Sequence, residues 1–355
     1  MCRILNYENS NWKKRKDGNI NCFVKLCICD LYLYLGSCYF IRFYVLIVFF
    51  LYLNWLLKKT NWWKNQFVFT HQFISNQGYR KNLTRNIEIV NVGSNPARFA
   101  FDYDKLILGA NWSTGNQGLD MDYQLLRFYH SFMKEGATVL IPIVPFSSVS
   151  AYLIPSIYKD KSYMVKFYSV LDYLQAKYLP QFKHVRYWYK YPLLFNWLAV
   201  RFLLRDVKPD KRILYDSDLT NRVDAITAKL WMDNWKSEFN IKDLEAPLSL
   251  ELQKARRQSV QLMKMILDYI IERGYKPVFI MPPVSKKLST YFTERFREIY
   301  IDSFIREFSE YNVPYFDYTK VLEFQTDDLF FNDLFMNVKG RTTFTKRVLI
   351  DLKMI

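Results

Sequence analysis

The first sixty residues are dominated by one apolar run. Residues 38–57 carry a single charge, Arg42, close to the start of the run. About twenty residues at helical rise match the ~30 Å of hydrocarbon in a bilayer. The run predicts a transmembrane helix, with a buried core helix as the alternative. Aromatic residues, which favour the head-group level, cluster toward its two ends: Tyr39, Tyr44, Trp55, Trp62 and Trp63.

Beyond this run, short apolar stretches alternate with amphipathic ones. Apolar and β-branched runs predict strands at Ile87–Val92, Ala137–Val144, Lys276–Met281 and Val313–Phe316. Apolar positions three and four apart predict helices at Asp122–Lys134, Lys254–Arg273 and Thr293–Tyr311, the first two closed by Gly136 and Gly274. The alternation favours an α/β domain with a mostly parallel sheet covered on both faces.

These patterns divide the chain into four segments. Residues 1–37 form an N-terminal segment that is cytoplasmic or poorly ordered, and residues 38–57 span the membrane. Residues 58–85 form a polar and aromatic stem, and residues 86–355 form the α/β domain. A stretch rich in Tyr, Phe, Trp and Leu predicts a helical insertion at about 151–250. Whether the insertion covers a cleft or lies on the membrane stays open.

The charge balance is strongly basic. Lys and Arg number 50 against 34 Asp and Glu, a net charge of +16. Such an excess can attract nucleic acid, anionic lipid or acidic glycan. The nearest approach to a nucleic-acid surface, residues 183–190 (KHVRYWYK), fits a membrane-proximal surface equally well, so nucleic acid is not expected as a partner. More Lys and Arg residues precede the apolar run than closely follow it, which favours a cytoplasmic N-terminus and an extracytoplasmic domain.

Cysteine usage excludes two kinds of site. All five cysteines lie before residue 39, so the α/β domain contains no thiol and no disulfide. Cys27 and Cys29 are too close for a C-x-x-C pair, and no histidine lies near them. We expect no metal site and no other cofactor.

The turn after the first predicted strand carries a candidate nucleophile. Open α/β sheets bind ligands at the carboxyl ends of their strands, where helix N-termini supply free N–H groups. Ser94, in Gly93-Ser94-Asn95, lies at that place. It is either a nucleophile whose oxyanion is received by backbone amides or a turn serine that caps the next helix, and spacing alone favours the cap.

Four short motifs occur in order over roughly residues 86–350. They are Val92–Asn95 with Phe99 and Phe101–Tyr103, Asn111–Tyr123, Met281–Val284, and Asn312–Tyr315 leading to Asp317. Together they resemble the SGNH (GDSL-type) hydrolases, specifically the membrane-anchored branch that includes D-alanyl-transfer and exopolysaccharide O-acetylation proteins, with Asn111, Gln117 and Asp122 in the expected places. The resemblance implies a three-layer α/β/α, flavodoxin-like sheet, Ser94 as nucleophile, and Gly115, Asn116 and Gln117 on the oxyanion or substrate side.

The last motif departs from the family pattern at the residues that matter most. The family carries Asp-x-x-His, then Asn-x-x-Gly and a Phe-Thr pair. Here Asn337, Gly340, Phe344 and Thr345 match, but Asn332 occupies the aspartate position and Phe335 the histidine position. Phenylalanine cannot take a proton from Ser94, so ordinary triad hydrolysis is expected to be absent or greatly reduced.

Few residues could replace the missing base. The chain has three histidines, His71, His130 and His184, and His130 is expected on or near a helix surface. Asp333 is one residue from the expected aspartate position, and a shift of register could bring it to Ser94. A carboxylate is a weak base toward a serine hydroxyl unless burial raises its pKa.

Two functional hypotheses follow. The first is an SGNH-type serine esterase or acyltransferase, impaired in catalysis, that transfers an O-acetyl group to or from cell-surface polysaccharide. The second is a non-catalytic SGNH-like module that binds a glycan or a partner in a surface-polymer assembly system. Possible partners are a cell-surface glycan or an acyl-donor protein, and the oligomeric state is not predicted.

Overall fold

The chain divides into two compact units, Met1–Lys58 and Lys59–Ile355, in a computed structural model. The structure describes residues 41–60, 62–63, 85–171, 179–204 and 223–355. The predicted N-terminal segment 1–37 and most of the predicted stem lie outside the described residues. Helix α1 (Ile41–Lys59), which lies in the first unit except for its last residue, is long and apolar enough to cross a membrane.

The second unit contains a five-stranded sheet in the order β2-β1-β3-β4-β5, and every neighbouring pair is parallel. The predicted α/β class with a parallel sheet is therefore confirmed, and β4 has the predicted bounds. Strand β1 is an inner strand. After it the chain forms β2 at one edge of the sheet and later forms β3 on the opposite side of β1. The strands are β1 (Ile87–Asn91), β2 (Gly109–Asn111), β3 (Met133–Pro142), β4 (Lys276–Met281) and β5 (Tyr315–Asp317).

Strands β2 and β3 differ most from the sequence prediction, whereas the bounds of β1 and β5 shift by one or two residues. The three-residue β2 is too short to give a periodic signal, and Gly109 lets the Tyr103 ring pack where a Cβ would overlap it. The predicted helix to Lys134 is wrong at its end, because β3 already begins at Met133. Gly136 has φ +70°, and the β1–β3 register shifts between Ile87 and Ile89. This glycine therefore belongs to an irregular strand rather than to a helix cap.

Among the described residues of the second unit, five helices have ten or more residues: α2 (Leu119–Tyr129), α3 (Lys161–Val170), α4 (Ala225–Glu238), α5 (Leu250–Glu272) and α6 (Val338–Asp351). The predicted helix Thr293–Tyr311 is present as Glu294–Arg297, a π-helical turn Glu298–Asp302, and Ser303–Arg306. Shorter helices occur elsewhere, namely Asn95–Arg98, Ile154–Lys159, Val185–Lys190, Pro192–Phe195, Arg201–Leu204 and Lys286–Ser289.

Helices pack on both faces of the sheet. Alternate strand residues such as Ile89, Leu140 and Ile280 form one core cluster with Phe344 and Val348 of α6. The other face carries Phe279, whose ring packs on Phe308 at 5.7 Å between centroids. On that side α5 contacts both β4 and α2. Successive strand side chains point to opposite faces, and the apolar residues toward the carboxyl ends of β1, β3 and β4 are buried on both.

The residues of the last motif that match the family pattern fix α6 to the sheet. Asn337 caps the helix by accepting the N–H of Gly340 at 2.9 Å, and its own N–H donates to the Leu329 carbonyl at 3.0 Å. Phe344 is fully buried, and the Thr345 hydroxyl accepts the N–H of Asp102 at 2.8 Å. These contacts bring the end of the chain against the segment that follows β1.

Gly340, in the first turn of α6, is a position where even a small side chain does not fit. A Cβ at this position would overlap the Leu329 carbonyl oxygen, which is backbone and cannot swing aside. We expect Gly340→Ala to lower the free energy of unfolding by about 2–4 kcal/mol. Thermal or denaturant unfolding of the full chain in detergent measures it. Thr342→Ala, on the exposed side of the same helix, is the control and is expected to stay within about 0.5 kcal/mol of the parent.

Candidate functional site

A cleft of about 440 Å³ opens at the carboxyl ends of β1 and β3. After β1 the chain runs to β2 on one side, whereas β3 lies on the other side of β1. Ligands of open α/β sheets bind at such a switch point, because the two connections diverge there and leave a crevice. The walls come from four parts of the chain: residues 93–96 after β1, residues 116–122 at the start of α2, residues 142–163 after β3, and α4 with residues 334–335.

Ser94 lies in this cleft and is half-buried. Gly93 has φ +111°, and a Cβ there would come within 3.2 Å of the Ala97 Cβ, so the turn requires glycine. Ser94 occupies the N-cap position of Asn95–Arg98 but makes no side-chain capping hydrogen bond. Among the described residues its hydroxyl has no hydrogen-bond partner, so it is available to a molecule in the cleft.

The predicted oxyanion side is brought to the same cleft in part. Asn116, with φ +58°, and Gln117 line the cleft beside Ser94. Gly115 is not among the lining residues. Its carbonyl accepts a bond from the Lys166 ammonium at 3.0 Å, and a Cβ on it would come within 3.0 Å of the Asn95 side chain. Gly115 thus supports the turn from behind.

A buried carboxylate holds the Ser94 turn. The Asp122 Oδ1 accepts the N–H of Gly93 at 2.9 Å and the Gln117 amide at 2.6 Å. Burial raises the pKa of Asp122 to about 7, the two hydrogen bonds oppose that rise, and Asp120 adds to it. The sequence resemblance placed Asp122 in one of its motifs but predicted no contact for this residue. The contact depends on α2 beginning at Leu119, earlier than its apolar periodicity indicates.

A polar network lies behind the cleft and joins the ends of β1 and β2. The Asn91 amide donates to Asn111 at 2.8 Å and to Ser113 at 2.7 Å, and the Tyr103 hydroxyl donates to Asn91 at 3.0 Å. Asn111 in turn donates to the carbonyls of Arg98 and Phe101. All these side chains are buried, so their bonding is structural, and the family-matching Asn111 serves to fix the loop between β1 and β2.

Phe335 lies where the resemblance places the catalytic histidine, and it lines the same cleft as Ser94. Its ring stacks on Phe99 at 4.7 Å between centroids and meets Trp231 edge-on at 5.3 Å. Phe99 ends the short helix that begins directly after Ser94. The first and last motifs are therefore in contact through two aromatic rings.

The other two residues of the last block do not reach the cleft wall. The Asn332 Oδ1 accepts the backbone N–H groups of Leu334 and Phe335, both at 2.9 Å, and so folds its own loop. Asp333 is fully buried and accepts a hydrogen bond from the Ser285 hydroxyl. The expectation that Asp333 could replace the missing base is wrong, because this side chain turns away to Ser285.

No described histidine lines the cleft. His130 follows α2 directly, at the edge of the sheet where β3 begins, which is opposite to the edge that carries Ser94. It is partly buried beside the Tyr269 ring, and burial and Arg273 lower its pKa. His184 is exposed before Val185–Lys190, and His71 lies outside the described residues.

The cleft is aromatic and acidic. Trp231 and Trp235, one turn apart on α4, line it together with Phe239 and Phe335. Its charged lining residues among those described are three acids, Asp122, Asp160 and Glu238, with no Lys or Arg. Neither tryptophan was predicted as a site residue, although both lie in the predicted aromatic insertion at about 151–250 and are four residues apart on one helix face. Across the described residues no group of three His, Cys, Asp or Glu is arranged to hold a metal ion.

Comparison with known proteins adds nothing to this geometry: no family model and no curated protein matches the chain. The chemical reading therefore depends on the residues themselves. The Ser94 hydroxyl opens to a cleft that Asn116, Gln117 and Phe335 also line, and no imidazole belongs to the described walls. This arrangement can bind a polar molecule with an apolar face, but a strong base for Ser94 is missing from the described walls.

We predict a pH-dependent stability that Asp122→Asn removes in part. The folded pKa of about 7 lies above the ordinary aspartate value of about 4, so the folded state binds this proton more tightly than the unfolded chain does. The free energy of unfolding should therefore fall as the pH rises from about 4 to about 7. An asparagine oxygen can still accept from Gly93 and Gln117 but carries no charge.

Thermal unfolding of the full chain at about pH 5 and about pH 8 measures the effect. The loss of stability at the higher pH should be smaller in Asp122→Asn than in the parent. Some dependence should persist, because burial also raises the pKa of Asp120, to about 6. Asp104→Asn, which changes an exposed carboxylate, is the control. Equal pH dependence in Asp122→Asn and the parent would contradict the assignment.

Proposed function

We propose that the second unit is an SGNH-like module that binds a cell-surface glycan in the cleft beside Ser94 and does not carry out triad hydrolysis. The observation that carries the proposal is Phe335. It occupies the cleft next to the Ser94 turn, where a hydrolase would need a proton acceptor, and it stacks on Phe99 and meets Trp231 edge-on.

The SGNH assignment is supported by topology and by the matching motifs. The order β2-β1-β3-β4-β5 is that of flavodoxin-like sheets, and helices cover both faces, as in a three-layer α/β/α fold. Ser94 follows β1, and the residues of the last motif that match the pattern hold α6 beside the segment after β1.

The cleft chemistry favours a neutral or amino-bearing sugar over an acidic polymer. Sugar rings present C–H faces that pack on aromatic rings, and Trp231, Trp235 and Phe239 offer such surfaces along one wall. Asp122, Asp160 and Glu238 would repel a carboxylate or phosphate, and no described cation of the lining offsets them. The same carboxylates would accept hydrogen bonds from an amino group or a neutral hydroxyl of the sugar.

The location proposed for this module is the outer face of a membrane. The helix α1 is long and apolar enough to serve as a single-pass anchor. The excess of Lys and Arg before it favours a cytoplasmic N-terminus and an extracytoplasmic C-terminal unit. A glycan at the cell surface or an acyl-donor protein would then have access to the cleft.

O-acyl transfer with Ser94 as nucleophile is the second candidate. The observation that favours it is the unbonded Ser94 hydroxyl, open to the cleft on a turn beside Asn116 and Gln117. Asp122, with its raised pKa, is the carboxylate nearest in the fold to that turn, through its bond to Gly93. Its weakness as a base implies slow transfer.

A fluorophosphonate probe, which labels activated serines, separates the two candidates. We expect no labelling of the full chain in detergent, because no imidazole accepts the Ser94 proton. The parent is compared with Ser94→Ala and with Ser150→Ala, which removes another serine of the cleft. A known serine hydrolase serves as the positive control for the probe. Labelling that disappears in Ser94→Ala but persists in Ser150→Ala would instead establish the acyl-transfer candidate.

Oligosaccharide binding tests the module directly. Chitotetraose and its de-acetylated form serve as neutral and amino-bearing probes, and an oligouronate as the acidic one, titrated by calorimetry or intrinsic fluorescence. We expect binding of the first two but not of the third. Trp231→Ala should weaken binding by about tenfold, the loss of ~1.4 kcal/mol of aromatic packing.

The control for that substitution is Trp197→Ala, which removes an exposed tryptophan outside the cleft and should leave the affinity unchanged. Equal losses in the two variants would mean that the sugar does not bind at α4. Preference for the oligouronate would contradict the ligand class proposed from the acidic lining.

A further inference from the structure

The described segments of the predicted insertion have two kinds of surroundings, and α4, at its end, lines the cleft. The first part of the insertion lines the cleft through residues such as Leu153, Ile157 and Tyr163. Residues 183–204 do not line the cleft in the part of the chain that the structure describes. They form short helices, Val185–Lys190, Pro192–Phe195 and Arg201–Leu204, with a 3₁₀ turn at Trp197–Val200. Whether the insertion covers a cleft or lies on the membrane is therefore decided separately for each of these segments.

Residues 183–204, called here the aromatic-basic surface, expose large apolar side chains to an unusual extent. Trp197 is 75% exposed and Leu204 is 92% exposed, and Leu194, Leu198 and Val200 are exposed as well. A soluble surface rarely gathers so many apolar side chains within eleven residues, and such a patch marks an interaction site.

The same surface carries a single sign of charge. Lys183, Arg186, Lys190 and Arg201 are exposed, and residues 183–204 contain no Asp or Glu. The Arg186 guanidinium lies 4.6 Å from the centroid of the Tyr187 ring, and that of Arg201 lies 4.9 Å from the Phe202 ring. Exposed apolar groups mixed with cations and aromatic rings are typical of segments that lie in the interface of a bilayer with anionic lipids.

The chain connects this surface to the end of α1. Trp62 stacks on Phe202 at 5.0 Å between ring centroids, and Trp63 contacts Phe195 and Tyr189. Trp62 follows Lys59, the last residue of α1, by three residues, which span at most about 11 Å. If α1 crosses a bilayer, the aromatic-basic surface cannot be far from the membrane.

We propose that the aromatic-basic surface lies in the membrane interface, with Trp197, Leu198 and Leu204 among the acyl chains' upper carbons and the four cations at anionic head groups. The contact sets the height and orientation of the second unit above the bilayer. The proposal rests on the proposed membrane anchor but not on what the cleft binds.

Site-specific fluorescence of the full chain tests the proposal. The five native cysteines are replaced by serine, and single cysteines are introduced by Trp197→Cys, by Leu322→Cys as an exposed control that is 87% accessible, and by Val48→Cys within α1. Each variant is labelled with an environment-sensitive dye and reconstituted in nanodiscs of phosphatidylcholine and phosphatidylglycerol. Quenching is compared between nitroxide-bearing lipids and aqueous iodide.

Position 197 should show blue-shifted emission, several-fold stronger quenching by the lipid nitroxide than position 322, and protection from iodide. Water-like emission at 197 with iodide quenching equal to that at 322 would overturn the proposal. Protection from iodide without lipid quenching would assign the surface to a second copy or another protein and would also overturn it. Val48→Cys separates failure of the membrane anchor from failure of the surface contact. Lipid quenching at position 48 but not at 197 would retain α1 as an anchor and reject the surface contact. Lipid quenching at neither position would reject both.

A charge-reversal pair tests the head-group contact. Arg186→Glu with Lys190→Glu should reduce lipid quenching at position 197 in discs that contain phosphatidylglycerol and change it little in pure phosphatidylcholine. Lys286→Glu with Lys346→Glu, two exposed lysines elsewhere, forms the matched control. Equal reductions in the two double variants would contradict a specific contact between this surface and anionic lipid.

Discussion

The N–H of Gly93 donates to the buried carboxylate of Asp122, and the geometry of the cleft follows from that bond. Gly93 turns the chain away from β1 with φ +111°, whereas Asp122 belongs to the first turn of α2, which leads the chain to β3. The bond therefore ties together the two connections that diverge at the switch point. Ser94 stays at the mouth of the cleft because its neighbours on both sides are fixed.

The hydrogen bond between Gly93 and Asp122 is buried, and burial disfavours the charged form of the Asp122 side chain. Burial raises the pKa of Asp122 to about 7, and the partners of its Oδ1 are neutral donors rather than a cation. A hydrolase would use a nearby imidazole both to accept a proton and to balance such a carboxylate. Phe335 does neither, but its ring joins Phe99 and Trp231 in a continuous aromatic wall. Phe335 thus gives the cleft an apolar binding surface beside the Ser94 turn.

The sequence predicted the parts of the fold that depend on periodicity. The parallel sheet, strand β4 and the long helix α5 were found because apolar residues recur at the spacing of each element. Strand β2 was missed because three residues give no period, and the end of α2 was misplaced because Met133 is apolar in either structure. Such ambiguities are settled by tertiary contacts, here the register of β3 beside β1.

In the candidate site, only the residues whose positions follow from the order of motifs along the chain were predictable. Ser94 and Phe335 could be brought together in advance, since both belong to motifs whose order matches a known pattern. Asp333 was misjudged, because its side-chain direction depends on Ser285, which is distant in sequence. Trp231 and Trp235 were not predicted as cleft residues: their spacing places them on one helix face, but the surface that this face lines is set by residues distant in sequence.

The net charge of +16 is a poor guide to what the cleft accepts, because charge is distributed unevenly over the fold. The described charged residues that line the cleft are all acidic, while residues 183–204 carry only cations. Electrostatic attraction between exposed groups fades over about 8–10 Å at physiological salt, so each surface acts mainly on what touches it. A basic surface held at anionic head groups and an acidic cleft open to neutral or amino sugars can therefore coexist in one unit, and overall charge describes neither.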